Sequence, residues 1–82
     1  MYTVIWIPST LDDLTAIWLN AADRNAVTRA VTRVDQLLAA APAEQGESRP
    51  RRARIMFERP LVVTFEIDED SRTVFVVGVR GY

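Results

Sequence analysis

Apolar positions recur with a period near two at both ends of the chain and near 3.6 in its middle, and this switch predicts the elements. Residues 2–7 (YTVIWI) are a run of β-formers, closed by Pro8, whose ring has no N–H to continue a ladder. Ser9 with Asp12 and Thr10 with Asp13 make two overlapping capping boxes, so a first helix is expected to begin there. Leu11, Leu14, Ile17, Trp18 and Ala21 follow at helical spacing as one core-facing stripe, with Asp12, Asp13 and Asn20 facing water, over about three turns. Asp23 is the expected cap of a second helix, in which Val27, Ala30, Val31, Val34, Leu37, Leu38 and Ala41 hold the period. Pro42 ends that helix, and residues 43–52 (AEQGESRPRR) read as a polar Pro/Gly-containing loop.

The last third returns to strands. Residues 53–57 (ARIMF) alternate, with Ile55 and Phe57 on one face and Arg54 and Met56 on the other. Residues 61–67 and 73–79 are rich in β-branched and aromatic side chains and flank the polar segment Asp68-Glu69-Asp70-Ser71-Arg72, the pattern of an antiparallel hairpin. Both strands are apolar on both faces, which places them in the middle of a sheet. Strict alternation along the last strand puts Val74, Val76, Gly78, Arg80 and Tyr82 on one face. Two amphipathic helices cannot cover both faces of such a sheet, so they are expected together on one side, leaving the other partly open.

Composition narrows the chemistry. A chain of 82 residues forms one domain, 1–82, and at 49% hydrophobic it has enough apolar material for a single core. It has no Cys and no His, which removes disulfides, thiol nucleophiles, Ser-His-Asp triads and His-based zinc sites. Catalysis would have to use Arg, Tyr or carboxylates; no metal or cofactor is implied. No apolar run approaches the roughly 20 residues that span a bilayer and no secretory signal is evident, so the expectation is a cytoplasmic protein without a membrane partner. The formal charge of −1 provides no strong field for polyanions. All ten basic residues are Arg, and Arg49, Arg51, Arg52, Arg54 and Arg59 crowd one segment.

The opening TVIWIPSTLDDLTAIWL, the helix AVTRAVTRVDQLL followed by Pro42, the GESRPRRARIMF segment, the PLVVTFEID strand and the closing VFVVGVRGY together resemble the RelE/ParE superfamily, the toxin halves of bacterial type II toxin–antitoxin pairs. The resemblance covers nearly the whole chain. It implies an α+β fold of order β-α-α-β-β-β, a twisted antiparallel sheet with two helices packed on one face, and a small cognate antitoxin as partner. Members similar to RelE cleave mRNA on the ribosome with basic side chains and a C-terminal tyrosine. Carried over to this chain, those roles fall on Arg54, Arg80 and Tyr82, with Arg49, Arg51, Arg52 and Arg59 as candidate nucleic-acid contacts. Where the resemblance expects a central arginine on the third strand, this chain has Val62, with Glu66 on the same face. The alternatives it implies are a ParE-like inhibitor of DNA gyrase that cleaves nothing, and an inactive toxin fold that retains only antitoxin binding. Without catalysis, Arg54 would be expected to pair with Glu66 on the sheet surface.

Overall fold

The computed structural model describes residues 1–48 and 53–82. In chain order the elements are β1 (Thr3–Trp6), α1 (Pro8–Asn20), α2 (Arg24–Ala40), a 3-10 turn (Pro42–Glu44), β2 (Glu47–Ser48), β3 (Ala53–Glu58), β4 (Leu61–Asp68) and β5 (Thr73–Gly81). The strands form one sheet in the order β1-β5-β4-β3-β2. β2 to β5 are an antiparallel meander, but β1 runs parallel to β5, with Val4 opposite Val74 and Trp6 opposite Val76. The sheet is therefore mixed rather than wholly antiparallel. The two-helix connection after β1 is long enough to cross over the sheet, so β1 is not obliged to form a hairpin with its sequence neighbour. β2 is an addition to the expected strands, a two-residue edge strand inside the stretch whose polarity predicts only loop.

Both helices lie on one face. From the sheet, Met56, Leu61, Val63, Phe65, Val74 and Val76 are buried against Val27, Ala30, Val34 and Leu38 of α2, and Leu14 and Ile17 of α1 pack around them. Each fully buried side chain of this size contributes about 1.5–3 kcal/mol relative to exposure. Burial in α2 follows the apolar period, and Asp23 caps it by accepting the Ala26 N–H at 3.1 Å. Pro42 follows its C-terminus as expected, since it cannot continue the ladder.

α1 differs from expectation at its start. It begins at Pro8, not at Ser9 or Thr10, and Ile7 caps it without a side-chain hydrogen bond. Proline suits the first helical position because the N–H it lacks would have no intrahelical partner there. The capping boxes are thereby moved inside the helix, and Thr10 turns into the core. At the other end Arg24 closes the chain reversal. Its Nε donates to the Trp18 carbonyl at 3.2 Å and its Nη2 to the Leu19 carbonyl at 3.0 Å, with the guanidinium 4.7 Å from the Trp18 ring centroid. The Leu19 carbonyl, which the end of α1 leaves without a helical partner, is satisfied in this way, while the Trp18 carbonyl also accepts the Ala21 N–H at 3.3 Å.

Candidate functional site

The face of the sheet opposite the helices is where the candidate residues are to be sought, and register determines which of them reach it. On β4, Leu61, Val63, Phe65 and Ile67 face the helices, so Val62, Thr64 and Glu66 face outward. Across the ladder β3 contributes Ile55 opposite Thr64 and Phe57 opposite Val62, while β5 contributes Phe75, Gly78 and Arg80 opposite Glu66, Thr64 and Val62. The expectation that Val74, Val76, Gly78, Arg80 and Tyr82 share one face is not met. Phe65 pairs with Val76 and Thr64 with Gly78, leaving Val77 as the extra residue of a β-bulge. The bulge reverses the alternation, so Val74 and Val76 enter the core whereas Arg80 points to the open face. Without it, Arg80 would have been driven into the helix layer.

At the Arg80 end of that face the side chains form a cluster. Val62 is flanked by Phe57 and Arg80 and is only 4% exposed, although no helix covers it. Tyr82 continues past β5, its N–H donating to the Pro60 carbonyl at 2.9 Å. Its ring meets Phe57 edge to face with centroids 5.6 Å apart, and the Arg59 guanidinium lies 4.9 Å from its centroid. Phe57 and Tyr82 nevertheless remain 60% and 51% exposed. The result is an aromatic–arginine patch of Phe57, Tyr82, Arg59 and Arg80 over a small apolar base. Such a patch can stack on a planar group or seat an apolar side chain while offering guanidinium donors at its rim.

Arg54 lies on the other side. It pairs with Phe65 in the ladder and so shares the helix-side face with Met56. Its Nε donates to the Gln45 carbonyl at 3.0 Å, and its Nη2 to the carbonyls of Ala43 at 3.1 Å and Gly46 at 3.3 Å. These bonds fix the segment that follows α2, where Gly46 has a positive φ of 65° and an added Cβ would strike the Ile55 carbonyl. Arg54 is thus not brought together with Arg80 and Tyr82. A pairing of Arg54 with Glu66 is also excluded by register, because Glu66 faces outward opposite Ala53 and Phe75. Arg49, Arg51 and Arg52 lie outside the described residues, and of the candidate nucleic-acid contacts Arg59 alone is described, stacked on Tyr82. Phe57 belongs to this patch and is absent from the candidates the sequence supplies. Its place beside Ile55 was readable, but its role depends on meeting Tyr82, which the bulge decides. The signal for that was Gly78, since a glycine inside a strand pattern marks a bulge.

Among the described residues no group of three or more carboxylates is arranged to hold a metal ion, and no described helix is long and apolar enough to cross a membrane.

No protein-family model and no curated protein matches the sequence. The fold does match solved structures along its whole length. A chain of the RelBE2 toxin–antitoxin complex of Mycobacterium tuberculosis superposes with a TM-score of 0.82 at 18% identity, covering 99% of this chain and 91% of that one. A chain of the chromosomal ParDE system of P. aeruginosa gives 0.72 at 20% identity, covering 99% and 96%. The isolated E. coli RelE toxin gives 0.71 at 12% identity, covering 99% and 84%. This chain therefore has the RelE/ParE toxin fold, with both helices on one face of a mixed sheet and the other face open.

Proposed function

We propose that this protein is the toxin of a type II toxin–antitoxin pair and that it acts by binding a protein target through the Phe57–Tyr82–Arg59–Arg80 patch, as a ParE-like gyrase inhibitor would, rather than by cleaving RNA. The fold it shares with chains of toxin–antitoxin complexes supports the first half. One observation carries the second: Arg54 sits on the helix side of the sheet, held by backbone carbonyls, so that a two-arginine clamp on one phosphate is not assembled. What remains outward is an exposed aromatic pair with guanidinium groups beside it, the side chains that dominate protein interfaces. A cognate antitoxin is the expected restraint.

Supercoiling by purified gyrase tests this reading. The wild-type chain should inhibit it and trap double-strand breaks, and Phe57→Ala should weaken inhibition by about 2 kcal/mol or more in apparent affinity. Full supercoiling at large excess of the chain would refute the gyrase target. A second reading, RelE-like cleavage of ribosome-bound mRNA, is favoured by the presence of Arg80 and Tyr82 on the same open face. It requires cleavage of ribosome-programmed mRNA by the wild type that Arg80→Ala abolishes; equal products from both proteins would eliminate it.

A further inference from the structure

Gly78 lies inside β5, where glycine weakens a strand because it loses more backbone freedom on folding and packs no side chain. Its backbone does not require it. Gly46 turns through a positive φ of 65° whereas Gly78 does not, so an L-residue fits the conformation at Gly78. The neighbouring bulge leaves Val77 as its extra residue, and a bulge without a left-handed position makes no demand for glycine. Space does not require it either. A Cβ at Gly78 would meet Thr64 Cβ at 3.5 Å and Thr64 Oγ1 at 3.6 Å, ordinary van der Waals separations, whereas one at Gly46 would run into the Ile55 carbonyl. An alanine would therefore serve the fold at this position as well as the glycine does.

What the missing side chain changes is the open face. The row Ile55–Thr64–Gly78 lies next to the row Phe57–Val62–Arg80, about 7 Å farther along the strands. On the other side of β5, β1 ends at Trp6 opposite Val76, so among the described residues no strand flanks Gly78 there. The result is a notch that continues the aromatic–arginine patch, floored by the β5 backbone and walled by Thr64. The hydroxyls of Thr15, Thr28, Thr32 and Thr73 each donate to a backbone carbonyl. That of Thr64, a half-buried residue, has no hydrogen-bond partner among the described residues and borders the notch.

We propose that the notch at Gly78 is a subsite of this patch, in which the main chain of the protein target comes flush against β5 and accepts a hydrogen bond from Thr64 Oγ1. The inference rests on reading the patch as a protein-binding surface. Main chain is the group that fits, because two backbones approach this closely only where no Cβ stands between them. Gly78 is then a specificity-determining position, and the stability that β5 forgoes by lacking a side chain there is the cost of leaving the subsite open.

Thermal unfolding and inhibition of purified gyrase, measured on the same variants of the full chain, test this. Gly78→Ala should raise the unfolding midpoint by about 2–8 °C, since alanine restricts the unfolded chain. The same variant should weaken inhibition about tenfold or more, because the added methyl holds the target off the strand. Thr64→Val should weaken inhibition about two- to tenfold, and Thr64→Ser, which keeps the hydroxyl, should match the wild type. A lowered midpoint for Gly78→Ala would overturn the proposal by showing that the fold needs the glycine. Gly78→Ala inhibiting as strongly as wild type while Phe57→Ala fails would overturn it and leave the patch standing as the contact. Thr64→Val at full strength would remove the hydrogen bond and with it the subsite. Gyrase untouched by the wild type would instead strike the target itself, and the proposal would fall with it.

Discussion

Thr10 is 1% exposed, and its hydroxyl has no hydrogen-bond partner. A buried hydroxyl left unpaired costs about 1–3 kcal/mol, whereas a methyl of the same shape carries no such penalty. Thr10→Val should therefore stabilise the protein by about 1 kcal/mol in urea unfolding, and a loss of stability would mean that the hydroxyl does find an acceptor. Tyr2 offers the opposite case, a polar group that is partnered at the surface. Its hydroxyl donates to Glu69 Oε1 at 2.5 Å and Arg72 lies 5.1 Å from its ring centroid, which ties the N-terminus to the β4–β5 turn. That hydrogen bond, then desolvation, then the Glu69 charge raise the Tyr2 pKa above its usual 10.0, with Arg72 opposing. For an acid whose folded-state pKa is raised, the folded protein retains the proton longer than the unfolded chain does. The contribution is thus complete below pH 10.0 and disappears as the pH rises through the folded-state value. Absorbance titration of the tyrosinate should show a late component that Glu69→Gln removes.

At the scale of elements the bulge at Val77 determines what the open face contains. Val76 already pairs with Phe65 and Gly78 with Thr64, so deleting Val77 leaves a regular ladder with every other residue of β5 on its present face. The fold, and the exposure of Arg80, should survive the deletion with a loss below about 2 kcal/mol by thermal unfolding, an unusual tolerance for a strand near the centre of a sheet. Unfolding on deletion would show that the local twist of the bulge is itself needed. The same feature explains what could be read from the chain alone. Helix and strand placement followed from apolar period, because α2 and the β4–β5 hairpin bury what the pattern says they bury. Register does not follow from pattern once one strand gains a residue, and so strict alternation puts Arg80 on the face of Val74 and Val76, whereas it places Val63 and Phe65 correctly. The start of α1 departs from its local signal for a related reason. Ser9 and Thr10 satisfy the local rule for a cap, yet Pro8 fits the first helical position and the core takes the Thr10 side chain. Arg54 reads as a surface cation beside Met56 because sequence cannot tell that backbone carbonyls some eight to eleven residues earlier fold back to receive it.

Across the whole molecule, weak net charge and a local aromatic patch lead to different salt dependences for the two target classes. The formal charge is −1, and among the described residues Arg59 and Arg80 are the cations of the open-face patch. Binding to single-stranded nucleic acid loses affinity with salt at a logarithmic slope of about −0.7 per phosphate neutralised, so two contacts give a slope near −1.4. A protein target seated on Phe57 and Tyr82 draws its affinity from apolar burial, which salt does not screen, and its slope should lie near zero. Titrating the chain with gyrase and with single-stranded RNA over the same salt range separates these cases. Tight, nearly salt-independent binding to gyrase and weak binding to RNA would agree with a contact-acting toxin. An RNA slope well beyond −1.4 would require more cations than Arg59 and Arg80 and would assign phosphate contacts to Arg49, Arg51 and Arg52. In that event their combined replacement by Gln should bring the slope back towards −1.4, and the RNA-cleaving reading would regain the positive surface that the open face alone does not supply.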